Sequence, residues 1–250
     1  GSTPKKDIEM AKLMFQDPRF KPDYLKVYPV QVIAGTKLHD LYKAGKFKTY
    51  TDQVLKKVLR KIKLNTPAWI RIDRLVRDIS KKWVSSGTHQ TNIRQVIQQE
   101  LKDSNKSCKC IRCREIKDSP HSNSPLKFKK ITIDTLGGQE YFLSFEAQGK
   151  LYSLLRLRLP DKNQEALFKE LVNAAIIREV HTFGSTLALS EHRSSKTQHQ
   201  GLGKRLVLRA EKISKEHGFK KLAVISAIGT KEYYKKIGFS SEGLYMTKDI

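Results

Sequence analysis

The residues 198–203, Gln198-His199-Gln200-Gly201-Leu202-Gly203, spell Q-x-x-G-x-G between a strand-like run over 176–183 and an amphipathic run over 204–217. In the latter, Leu206, Ala210 and Ile213 fall at helical spacing. Glycines at such a turn let backbone N–H groups approach a phosphate with no Cβ in the way, and the helix behind adds partial positive charge at its N-terminus. The chemistry is that of a phosphate-bearing cofactor. A dinucleotide-binding fingerprint would need a third glycine, and position 206 is Leu. The second reactive group is Cys108, Cys110 and Cys113, spaced Cys-x-Cys-x-x-Cys, with Lys109, Arg112 and Arg114 beside the thiols to favour thiolates. An odd count packed so closely does not make a disulfide framework and argues for a metal. Structural zinc (Zn2+) takes four ligands. His89 is the preferred fourth, His121 is the other near candidate, and His39 is more remote. The alternatives are a four-iron cluster with one open iron, for which the spacing is short, and an unligated redox thiol group.

Elements on both sides must position these groups. After the loop, 222–226 reads as a short apolar strand, and 229–239 as a helix bearing Tyr233 and Tyr234 that ends at a Gly238-Phe239 turn. Upstream, 128–133, 141–145 and 151–157 read as successive antiparallel strands with a turn at Gly137-Gly138, followed by a polar stretch holding a short helix at 164–172. The first 75 residues carry helices over 5–15, 37–44 and 52–63 and strands over 26–33 and 69–72. Val54, Leu55, Val58, Leu59 and Ile62 give the third helix one apolar face and leave a lysine-rich outer one. A further helix over 91–101 precedes the cysteines. No segment repeats.

Lys and Arg number 49 against 25 Asp and Glu, a formal net charge of +24. Such a surplus points to a polyanion such as nucleic acid, and it is larger in residues 1–125 than in 126–250. The nucleic-acid surface is therefore expected upstream of the glycine loop, around Lys56, Lys57, Arg60 and Lys61 and around Arg71, Arg74 and Arg77. No stretch reaches the roughly 18 apolar residues of a membrane span, and the N-terminus has no apolar signal core. A soluble, cytoplasmic protein with no membrane partner is expected.

The glycine loop, its flanking strand and the tyrosine helix together resemble the GNAT acetyltransferase fold, whose Q-x-x-G-x-G loop holds the pyrophosphate of acetyl-CoA. A more specific resemblance rests on Glu179-Val180-His181-Thr182-Phe183-Gly184-Ser185, Gln198-His199-Gln200-Gly201, Ala223-Val224-Ile225-Ser226 and Tyr233-Tyr234-Lys235-Lys236-Ile237-Gly238. Upstream it extends to Leu25-Lys26-Val27-Tyr28-Pro29, Ala34-Gly35-Thr36, Val76-Arg77-Asp78-Ile79 and the cysteine segment. Together these resemble the catalytic subunit of Elongator, the tRNA wobble-uridine carboxymethyluridine synthase and acetyltransferase family that joins radical-SAM and GNAT domains.

That resemblance covers nearly the whole chain and implies an α+β or α/β architecture. Residues 1–75 would be a remnant of the radical-SAM barrel, 76–125 a zinc-binding linker and 126–250 the GNAT domain, with most of the radical-SAM domain lacking. Radical chemistry in the family needs a Cys-x-x-x-Cys-x-x-Cys iron–sulfur cluster with S-adenosylmethionine, and the spacing here differs. Those cofactors are expected only of the full-length family member. The function implied is a tRNA-modifying acyltransferase fragment that binds acetyl-CoA and tRNA and hydrolyses the thioester during carboxymethylation of the wobble uridine. Alternatives are a protein lysine acetyltransferase on the same fold and a non-catalytic zinc-containing RNA-binding module. Acetyl-CoA would be lined by Glu179, Val180, His181, Thr182, Gln200, Gly201, Leu202, Gly203, Lys204 and Tyr233. Catalytic candidates are Tyr233, Tyr234, Glu179 and His181. Glu179 is read as general base, against the alternative that it merely pairs with a basic residue. Of two adjacent helix tyrosines one must face away, and Tyr233 is the one assigned to the thioester. Partners implied are tRNA and either a second copy or Elongator-like subunits.

Overall fold

The computed structural model describes residues 1–117, 124–184 and 201–250, so Ser185, Gln198, His199 and Gln200, like His121, lie outside the described residues. Two compact units are formed, Gly1–Cys113 and Arg114–Ile250. The first runs α1 (Pro4–Gln16), β1 (Tyr24–Lys26), β2 (Val32–Ile33), α2 (Lys37–Lys43), α3 (Asp52–Asn65), β3 (Arg71–Arg74), β4 (Val84–Ser86), α4 (Ile93–Asp103) and, at the boundary, α5 (Ile111–Arg114). Threonines start the three early helices: Thr3, Thr36 and Thr51 each accept a first-turn backbone N–H. The single strand expected over 26–33 is two short ones. Pro29 lies between them and has no N–H to give a ladder.

The face of α3 that carries Leu55 and Leu59 meets Ile93, Ile97 and Leu101 of α4, and Ile72 and Leu75 close the same cluster. Cys108 and Cys110 are buried in it. The helix and cysteines read as a linker over 76–125 therefore share one core with the 52–65 helix. No barrel is seen among the described residues. In this unit the parallel pairing a barrel would need is confined to three residues of β1 against β3, while β2 and β4 pair antiparallel.

The second unit is a mixed α/β layer structure: β5 (Lys127–Thr135), β6 (Gly138–Ala147), β7 (Lys150–Pro160), β8 (Ala174–Thr182), α6 (Leu202–Glu216), β9 (Lys221–Val224), α7 (Lys231–Lys236), β10 (Ser240–Glu242) and β11 (Tyr245–Asp249). Its sheet has the order β10-β11-β9-β8-β7-β6-β5, and only β8 and β9 are parallel. The tight β5–β6 turn needs glycine at 138, where a Cβ would lie 2.2 Å from the Leu159 carbonyl oxygen. Leu202, Leu206, Val207, Ala210 and Ile213 of α6 pack with Leu143, Phe145, Leu155, Leu157 and Ile177 of the sheet. The helix expected over 164–172 is only a 3-10 turn, Lys169–Leu171, and β10 and β11 lie beyond the last strand read from the sequence.

Candidate functional site

The sheet opens where β8 and β9 part. They pair through Ala174–Ile177 against Lys221–Val224, after which β8 continues on β7 alone, Val180 opposite Leu155 and His181 opposite Leu154. The β9-facing backbone of residues 180–182 is therefore left without a neighbouring strand among the described residues, as a ready partner for an extended amide-bearing ligand. At the same end α6 begins. Gly201 is its N-cap with φ +92°, a left-handed conformation, and no side chain caps the first-turn N–H groups. Gly203 lies within the first turn, and a Cβ there would sit 3.0 Å from the Tyr233 hydroxyl and 3.8 Å from Val180 Cγ1. The structure so brings together Val180, Gly201, Leu202, Gly203, Lys204 and Tyr233. Leu202 itself points into the core, which leaves its backbone as the group it offers.

The other expected residues are placed differently. Tyr234 is 6 % exposed, edge-on to Phe239 at 5.5 Å, and its phenol is pushed up to about 12 by burial and by Tyr233. It is a core residue. Tyr233 is part-exposed, and burial raises its phenol too, so at neutral pH it is a protonated hydrogen-bond donor. Glu179 accepts from Arg156 Nε at 2.8 Å, and that arginine is 2 % exposed. Next to Val180 on a strand, it faces the opposite side of the sheet, where it balances a buried cation. The structure shows it in an ion pair with Arg156. His181 and Thr182 are exposed, the His181 ring 4.3 Å from that of Phe183.

In the first unit, Cys108, Cys110 and Cys113 converge with their sulfurs within 4.8 Å of one another, and no histidine or carboxylate joins them among the described residues. Tetrahedral zinc at about 2.3 Å from each thiolate needs sulfurs about 3.8 Å apart, so the donor set fits a metal with little adjustment. His89 is exposed and is not brought to the cluster. Two nitrogens reach Cys113 Sγ instead: Lys63 Nζ and Gln98 Nε2, each at 3.3 Å. Hydrogen bonds from the Cys108 and Cys110 thiols, with the Lys63 charge, hold the Cys113 thiol far below its ordinary value, while the Cys108 thiol is pushed up. Lys63 was hidden in the lysine count of α3. Its spacing from Leu55 and Leu59, four and eight residues on, placed it on the apolar face all along.

The basic clusters are thinner than their sequence suggests. Lys56 and Arg60 both turn to Glu100, at 3.5 and 3.7 Å, and Arg71 to Asp73 at 2.7 Å. Lys57, Lys61, Arg74 and Arg77 remain exposed. No helix among the described residues is long and apolar enough to cross a membrane.

A seven-stranded sheet splayed at one parallel pair, with a glycine-opened helix at the splay and a tyrosine over its first turn, is a GNAT-like fold, and the cysteine cluster beside it in sequence can ligate a metal. The chain is homologous over its whole length to Elongator complex protein 3. It is 40% identical over 253 residues to that protein of Homo sapiens, covering 98% of this chain and 46% of the human one. A Dehalococcoides mccartyi relative named tRNA uridine(34) acetyltransferase is 36% identical over 257 residues, covering 100% of this chain and 56% of the relative. The archaeal Methanocaldococcus infernus Elp3 with an N-terminal deletion superimposes with a TM-score of 0.88 at 34% identity, covering all of this chain and 61% of that one. Residues 22–103 match the family described as Radical_SAM C-terminal domain. The chain spans about half the length of the curated relatives it matches.

Proposed function

We propose that the second unit binds acetyl-CoA and cleaves its thioester in the service of tRNA wobble-uridine modification. The observation that carries this is the Tyr233 hydroxyl set against Gly203 where α6 begins, beside the β8 edge that β9 leaves open. The first-turn N–H groups behind Gly201 and the α6 dipole suit a pyrophosphate. Backbone of residues 180–182 suits the pantetheine amides. The neutral Tyr233 phenol would donate to the sulfur as charge develops on it. In hydrolysis the acyl carbon–sulfur bond breaks as a water oxygen bonds to that carbon, and the water proton ends on the leaving sulfur. Carboxymethylation as the outcome, tRNA and Elongator-like subunits as partners, a cytoplasmic setting, and a zinc-bearing segment behind a barrel tail complete this reading; the names of the relatives support its tRNA uridine acetyltransferase and Elongator parts. Iron–sulfur and S-adenosylmethionine chemistry is assigned to the part of the relatives this chain does not span.

Acetyl-CoA hydrolysis by the chain, with and without tRNA, tests it. A rate that rises with tRNA supports the proposal; acetylation of a basic peptide instead would favour a lysine acetyltransferase, and RNA binding without turnover a non-catalytic module. Tyr233→Phe is expected to slow thioester cleavage by about 100-fold, the cost of one oxyanion-type donor, with acetyl-CoA affinity within a few-fold of the parent by calorimetry. Equal rates would remove the phenol from the chemistry.

Charge makes a separate prediction. Exchanging Lys57, Lys61, Arg74 and Arg77 for Gln should weaken tRNA binding and flatten its salt dependence, because each lost phosphate contact releases fewer counterions. Filter binding over a salt series reads this directly. An unchanged slope would place the docking surface elsewhere.

A further inference from the structure

We infer that Lys63 is the built-in counter-charge of the metal–thiolate cluster, an outer donor to Cys113 that sets how tightly a divalent metal is held, and not the fourth ligand. Its side chain comes from the middle of the first unit's core: Lys63 is 0 % exposed on the α3 face that also buries Leu59 and Ile62. An ammonium cannot be held there without an opposite charge. Among the described residues no carboxylate pairs with it, and its polar contact is Cys113 Sγ at 3.3 Å. Neutral thiols would not supply that charge. Three thiolates on a divalent metal carry one net negative charge, which a single lysine cancels. The match also restricts the missing ligand, since a carboxylate in fourth place would leave a second negative charge buried. A neutral ligand, water or an imidazole, keeps the balance.

Geometry separates the outer role from direct ligation. The fourth donor of a tetrahedral site is about equally distant from the other three. Lys63 bonds to Cys113 alone, on the side where Gln98 also reaches that sulfur. Groups that hydrogen-bond to ligands in this way alter metal affinity by about 10–100-fold without altering the coordination itself.

The inference rests on the cluster holding a divalent metal, and the measurement separates the two. The whole chain is stripped, reloaded with Co2+ to read the ligand field, and titrated with Zn2+ against a chromophoric chelator. If the parent chain takes up no metal, the metal reading fails before Lys63 is in question. If it takes up about one equivalent, Lys63→Met and Lys63→Gln should each lower Zn2+ affinity at least about tenfold while the Co2+ bands stay in place. Unchanged affinity in both, or parent affinity in Lys63→Gln, which keeps an N–H donor, would overturn the charge role. Shifted bands would make Lys63 a ligand and overturn it equally. Should neither variant fold, Cys113→Ser decides. A two-thiolate set with a divalent metal is neutral, Lys63 then has nothing to cancel, and adding Lys63→Met must not weaken Zn2+ binding. A further loss of tenfold there would sink the inference.

Discussion

Gly201→Glu is expected to abolish acetyl-CoA binding, raising the dissociation constant by more than about 100-fold, with the fold of the second unit kept. Two effects are superimposed in this variant. Gly201 sits at φ +92°, so any side chain there costs roughly 1–2 kcal/mol of backbone strain. A Cβ at this position meets nothing within 4 Å, so there is no clash to add. Gly201→Ala therefore isolates the strain and should lower thermal stability while leaving affinity within a few-fold. The glutamate adds a carboxylate in front of the uncapped first turn of α6, where it satisfies the same N–H groups and repels the pyrophosphate. Calorimetry on the three proteins, with circular dichroism to confirm folding, tests the assignment. Comparable affinity in the Glu and Ala variants would mean that the α6 N-terminus does not receive the phosphates.

What the sequence made legible divides along the range of the interactions. The α6 helix, its glycine entry and the strands from β5 to β9 could be read because apolar spacing and turn residues are local signals. The choice between Tyr233 and Tyr234 was also local, since adjacent helix residues diverge and the one nearer Phe239 packs inward. Glu179 could not be assigned from its strand. Its partner Arg156 is 23 residues away, in a part-buried pair created by the β7–β8 register. The split of the 26–33 strand has a local cause in Pro29, which interrupts an apolar run that otherwise reads as one strand. Lys63 illustrates the opposite limit. Composition counts it as one more surface cation, and only the meeting of α3 with the cysteine segment, 50 residues on, turns it into a buried partner of sulfur.

Cys110→Ser is expected to release the metal and to unfold the first unit by more than ~3 kcal/mol, leaving the second unit standing. Cys110 is fully buried, and with Cys108 it belongs to the same packed cluster as Leu55, Leu59, Ile72, Ile93, Ile97 and Leu101. A serine there removes a soft thiolate and strands a hydroxyl in an apolar wall, so the variant loses both the cross-link that the metal provides and part of the packing around it. Loss of the metal would also leave the buried Lys63 facing fewer negative charges. The damage should therefore spread along α3 and α4 and not stay within the cysteine loop. Amide exchange resolves the two units in one experiment: protection should fall across residues 52–65 and 93–113 and persist across β6, β7 and α6, with elemental analysis falling from about one zinc to none. Protection lost only at 104–113, or metal retained, would show that the cluster does not organise the first unit's core.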